Sequence, residues 1–173
     1  EWFLPASKLK YWPVEGNTLT AVWAALDLRK KMSAEQIAAI DIDTYWSAWH
    51  ETASEPEKWD PKSRETADHS MPFIFARTFV DGTITVKSFE PHLVSDPALR
   101  PLMNKIKVHN SEEVEKIYKA TYPFTYFMRT TVTGTSVRAM TLLATEPSSR
   151  PFRAPRPWLP ITTRSWRPVL TSW

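Results

Sequence analysis

Among the side chains that suit proton transfer or anion binding, two stand in informative surroundings. The ring bases are His50, His69, His92 and His109. Their separations fit no zinc pattern: His50-Glu51 lacks the second histidine that a metal-binding helix needs at position 54, where Ser54 stands. Cysteine is absent, which removes disulfides, thiolate zinc sites, iron–sulfur ligation and a cysteine nucleophile. The three glycines, Gly16, Gly82 and Gly134, are isolated, so a glycine-rich phosphate cradle is excluded. His50, His92 and His109 read as ordinary surface or strand-end residues.

His69 differs because of its setting, Arg64-Glu-Thr-Ala-Asp68-His69-Ser70-Met-Pro72-Phe73. Asp68 followed by Pro72 predicts a helix that starts at Asp68, with Met71, Ile74, Phe75, Thr78 and Phe79 as its buried stripe and Gly82 as its stop. That reading puts His69 in the first turn, where free N–H groups and the helix dipole attract anions. The same field opposes an imidazolium and leaves a ring able to take or donate a proton. A histidine that merely supports the cap is the alternative. Lys10 lies in Lys8-Leu-Lys10-Tyr-Trp-Pro-Val-Glu15-Gly-Asn17-Thr, a loop stiffened by aromatic rings and Pro13 that enters a helix. A lysine held there could bind a carboxylate; otherwise it is simply solvated.

The elements that must position these residues are mixed. Leu19, Val22, Trp23 and Leu26 predict a helix over about 18–31, capped by Asn17 or Thr18 and ended by Arg29, Lys30 and Lys31. Ser33 and Gln36 suit a capping box on a single turn. From Ile40 to Trp49 the period is two, a half-buried strand with Ile40, Ile42, Thr44, Trp46 and Ala48 on one face. A polar loop is expected over about 51–64. Ser95-Asp96-Pro97 signals a helix start and Pro101 keeps that helix short. Strands are expected at Lys105 to Val108 and along Phe124, Tyr126, Met128, Thr130 and Val132, with a turn at Gly134. Helices mixed with antiparallel strands give an α+β class: a small domain of helices on a mainly antiparallel sheet.

At 173 residues, 42% hydrophobic and 24% charged, the chain can bury a core, and no apolar run is long enough to span a membrane. It starts at Glu1 without a leader pattern, which suggests a cut within a longer chain. Net charge is +3, unevenly spread. Residues 1–136 carry 16 basic and 18 acidic side chains; residues 137–173 carry six Arg and only Glu146. The composition divides the chain into a domain over 1–145 and an atypical tail over 146–173. Residues 147–173 hold six Pro, five Arg and three Trp with no Lys, Asp, Glu or Gly. Out-of-frame translation of a GC-rich gene would give this composition, and so would a basic Pro-rich tail; a non-catalytic binding module whose Arg/Trp tail contacts nucleic acid or another polyanion is the alternative function of another class.

Taken together, Lys10-Tyr-Trp-Pro-Val-Glu-Gly-Asn-Thr and Arg64-Glu-Thr-Ala-Asp-His-Ser-Met-Pro-Phe, with Asp81-Gly82, resemble the carboxy-terminal domain of the MmgE/PrpD family. That family includes 2-methylcitrate dehydratase and cis-aconitate decarboxylase. The resemblance implies a lyase acting on small tri- or dicarboxylates without metal or organic cofactor. The expected activity is dehydration of 2-methylcitrate or a relative, with decarboxylation or epimerisation of a related dicarboxylate as the alternative. It also implies partnership with a helical amino-terminal domain, a homodimer in the complete protein, a cytoplasmic location and an inert isolated chain. Neither membrane nor nucleic acid is expected as a partner. Carried over by position, Lys10 would hold a carboxylate or steady enolate-like charge, and His69 would stand as a catalytic residue at the helix start that borders the cleft, with the C–H base coming from the missing domain. Ser70, Asn17 and Phe73 would border the substrate. Asn17 stands where related sequences often carry His, and Phe73 where they often carry Tyr.

Overall fold

An alternation of apolar and acidic residues makes the central strand. In the computed structural model, which describes residues 10–121, 127–134 and 140–145, β1 runs over Ile37–Thr44 with Ile37, Ile40, Ile42 and Thr44 buried. Asp41 and Asp43 point to the opposite face, as period two requires. β2 (Ile106–Asn110) lies parallel to β1, pairing Ile40 with Ile106 and Ile42 with Val108. β3 (Phe127–Gly134) lies antiparallel on the other side of β1, and β4 (Met140–Thr145) antiparallel to β3. The order β2-β1-β3-β4 makes the sheet mixed and mainly antiparallel, and the class α+β.

One sheet face carries the core. Ile40, Ile42, Ile106, Val108, Met128 and Val132 are buried beneath helices, each large side chain contributing about 1.5–3 kcal/mol relative to exposure. Two helices dominate that cover. α1 (Leu19–Arg29) packs on β3, β4 and the later helix α4 (Met71–Asp81). Ala21, Ala24 and Ala25 let α1 approach its neighbours closely. α4 is buried from Met71 to Phe79. Its Arg77, 6% exposed, pairs with Asp81 at 2.8 Å and Asp96 at 3.3 Å, tying the helix to the turn at Pro97–Leu99. The opposite sheet face is charged: His109 meets Asp41 at 2.9 Å, and Arg129 meets Asp43 and Glu113 at 2.8 Å each.

Several expectations hold. The Ser33–Gln36 capping box forms on a turn at Ala34–Gln36. Gly82 ends α4 in the left-handed region, φ 72°. Asp96 caps the Pro97 turn, which leads into the four-residue α6 (Arg100–Met103), the short helices α2, α3 and α5 having preceded it at Trp46–Ala53, Arg64–Asp68 and Pro91–Val94.

Others are corrected. The strand stops at Thr44 and α2 follows, although alternation continues to Trp49. Ala48 and Thr52, four apart, are both buried on its inner face. The freed N–H of Trp46 is capped by the Glu115 carboxylate at 2.7 Å. Glu115 lies in α7 (Glu112–Thr121), a helix that the sequence reading lacked. The polar segment expected as a loop over 51–64 is mostly helical turn, including Pro56–Trp59. α4 is capped by Ser70, not by Asp68, which ends α3 instead. Residues 1–9, Phe124, Tyr126 and the 146–173 tail lie outside the described residues. No helix among the described residues is long and apolar enough to cross a membrane.

Candidate functional site

The loop before α1 is held by rings and by its own lysine. Trp12 meets Trp23 of α1 edge-on with ring centroids 4.9 Å apart, and Tyr11 leans on both. Such an edge contact stabilises by about 0.5–1.5 kcal/mol beyond area burial. The loop folds back so that Lys10 Nζ donates to the Val14 carbonyl at 3.0 Å. That bond uses one of three ammonium hydrogens and fixes where the others point. Glu15 then caps the turn Gly16–Thr18: its Oε2 accepts from the Asn17 backbone N–H at 2.7 Å and its Oε1 from Asn17 Nδ2 at 3.0 Å.

The second segment meets the first at a backbone bond. The Glu15 N–H donates to the Asp68 carbonyl at 3.0 Å, so Lys10, Glu15 and Asn17 share one surface with Asp68 and His69. His69 is the C-cap of α3 and precedes the α4 cap, rather than lying in the first turn. Its Nδ1 contacts the Asp68 carboxylate, and its side chain is 47% exposed. A carboxylate on Nδ1 orients the ring and leaves Nε2 as the nitrogen to meet a proton donor or acceptor. The orienting agent is thus a neighbouring carboxylate in place of the expected helix field.

Glu15 is the electrostatic centre of this surface. Burial pushes its carboxyl above the ordinary carboxylate range, and nearby Glu51 adds to that push. The Asn17 backbone N–H and the positive charges of His69 and Lys10 oppose it. A half-buried carboxyl facing an ammonium and an imidazole is an arrangement for handling anions and protons.

Two expected site residues lie elsewhere. Ser70 is fully buried; its hydroxyl accepts from the Phe73 N–H at 3.1 Å and donates to the Lys58 carbonyl. Both interactions serve the start of α4. Phe73 is also fully buried, its ring 5.9 Å from that of Phe89, so it serves the core. Asn17, half-buried, is held at both ends of its carboxamide, since Oδ1 accepts from the Tyr45 hydroxyl at 2.6 Å. The structure brings Lys10, Asn17 and His69 together. It adds Glu15 and Tyr45, and gives Asp68 the orienting of His69 in place of the expected helix cap. The signal for Glu15 was local, a lone acid between Pro13 and Gly16. Tyr45 comes from the β1–α2 junction, and nothing within the loop announces it. Among the described residues no cluster of three or more His, Asp or Glu could hold a metal ion.

The α+β domain thus presents a lysine, a carboxylate-oriented histidine and a half-buried carboxyl on two joined loops. Residues 12–154 match the family model of the MmgE/PrpD C-terminal domain, and the chain belongs to that family, whose members are in general dehydratase- or lyase-like. The match runs past Thr145, beyond the point where the composition changes. No curated protein matches the chain.

Proposed function

We propose that this domain borders the substrate cleft of a hydro-lyase that dehydrates 2-methylcitrate or a related tri- or dicarboxylate. The observation that carries the reading is the bond between Glu15 N–H and the Asp68 carbonyl, which sets Lys10 and His69 around one carboxyl. Dehydrating a β-hydroxy acid needs a cation on the carboxylate as charge builds and groups that move the C–H and hydroxyl protons. Lys10 would supply the cation. His69 Nε2 would exchange a proton with substrate while Asp68 fixes the ring. Asn17 and the Ser70 cap would hold those two in place, with Phe73 supporting the cap from the core. The helical amino-terminal domain would complete the cleft, the complete protein would be a cytoplasmic homodimer, and the chemistry asks for no metal or organic cofactor.

A decarboxylase or epimerase reading draws on the same surface. It is favoured by Asn17, which puts a carboxamide beside Glu15 where a titratable side chain would otherwise assist proton transfer. Product analysis separates the two: an unsaturated tricarboxylate means dehydration, released carbon dioxide means decarboxylation.

Tricarballylate, a tricarboxylate without the reactive hydroxyl, tests the binding part on this chain. Amide shifts at Lys10, Glu15 and His69 that saturate with tricarballylate and vanish in Lys10→Ala support the reading. Shifts spread over unrelated surface, or unchanged by Lys10→Ala, contradict it.

A further inference from the structure

The proposed cleft does not explain why a tyrosine from the far end of β1 reaches the loop before α1. Tyr45 is 1% exposed, and its ring lies parallel to Tyr118 of α7 at a centroid distance of 3.8 Å. Its hydroxyl donates to Asn17 Oδ1 at 2.6 Å. That bond decides which end of the carboxamide faces Glu15: with Oδ1 taken, Nδ2 points to Glu15 Oε1 at 3.0 Å. Meanwhile the Asn17 backbone N–H holds Oε2 at 2.7 Å. Both carboxylate oxygens are therefore gripped by one residue, and that residue is gripped by Tyr45. The charged or titratable groups that act on Glu15 are Lys10 from its own loop, His69 from the α3–α4 junction and Glu51 from α2, while Asp68 meets it through the backbone carbonyl.

We propose that Tyr45 is a positioning residue that acts through Asn17 to hold the Glu15 carboxylate in one orientation between Lys10 and His69, so that Glu15 limits the affinity of this surface for anions. The proposal deepens the cleft reading above and rests on it. The physics is direct. Two donated hydrogen bonds favour the ionised carboxyl against the burial that opposes it, and a carboxylate near an ammonium weakens the pull of that ammonium on any other carboxylate that approaches. The tether thus fixes a negative charge near Lys10, whose Nζ is held by the Val14 carbonyl, and an approaching carboxylate must carry enough charge to bind against the repulsion of Glu15.

The test uses the whole chain in wild-type, Tyr45→Phe, Asn17→Ala and Glu15→Gln forms, with circular dichroism to confirm folding. The Glu15 carboxyl is followed by carbon NMR as pH is varied. Tyr45→Phe and Asn17→Ala should each raise its midpoint, by about half a unit, because donors that favour the anion are loosened or lost. Tricarballylate should bind severalfold more tightly to Glu15→Gln than to wild type. A Tyr45 that only packs would lower thermal stability and leave the Glu15 midpoint unmoved, which would overturn the proposal. Weaker tricarballylate binding in Glu15→Gln would overturn it too. If tricarballylate binds none of the forms, the cleft reading fails by itself, while the Glu15 titration still decides the role of Tyr45.

Discussion

Replacing Ser70 by alanine separates a structural cap from a substrate contact. The Ser70 hydroxyl is buried and used twice, accepting from the Phe73 N–H and donating to the Lys58 carbonyl. Losing the cap bond costs about 1 kcal/mol, within a range of about 0.5–2. The Lys58 carbonyl, left facing a methyl group, adds roughly 1–3 kcal/mol for a polar group without its partner. The two costs together give about 2–4 kcal/mol, a large share of the roughly 5–15 kcal/mol that keeps a domain folded. Ser70→Thr keeps an oxygen at the same place and should lose much less. Urea unfolding at neutral pH measures both variants, and tricarballylate binding to the folded protein gives the control. A Ser70→Ala loss below about 0.5 kcal/mol, together with abolished ligand binding, would refute the cap argument and return Ser70 to the substrate.

Three further outcomes follow from the same geometry. Phe73→Tyr places a hydroxyl in the fully buried setting beside Phe89, and should destabilise the chain by about 1–3 kcal/mol in urea unfolding, since the added group has to find a partner there. Gly82→Ala should lower the melting temperature: φ is 72° and a Cβ would sit 3.1 Å from Arg29 Nε, so strain and a displaced Arg29 combine to cost about 1 kcal/mol or more. Folded Glu15 keeps its proton to higher pH than the unfolded chain does, because burial raises its value. Its contribution to stability therefore falls as pH rises from the ordinary Glu value through the raised one. Urea unfolding across that interval should show the fall in wild type and not in Glu15→Gln.

What the sequence revealed followed the range of the interactions concerned. The Ile40, Ile42 and Thr44 face, the Ser33–Gln36 box and the Gly82 stop are written within a few residues each, and each appears as expected. The boundary at Thr44 was hidden because Tyr45 to Trp49 fits a period of two as well as a helix. The Glu115 cap that favours the helix comes from 69 residues away. The site divides in the same manner. Lys10 and His69 stand out by residue type, and a backbone bond does join their segments. The resemblance puts Ser70 and Phe73 at the cleft. Both side chains are fully buried, Ser70 as the cap of α4 and Phe73 beside Phe89, an orientation set by packing that the motif does not display. Tyr45 could not be placed before the fold brought the end of β1 to the loop at Asn17.

The central claim is that Lys10 and His69 serve dehydration of a carboxylate, and dehydration of 2-methylcitrate tests it most directly. The chain would be assayed alone and joined to a helical amino-terminal domain of its family, each with and without Lys10→Ala and His69→Ala. The expected result is an inert chain alone, activity in the joined protein, and a loss of about a hundredfold or more in either variant. Activity in the joined protein that survives both substitutions would contradict it.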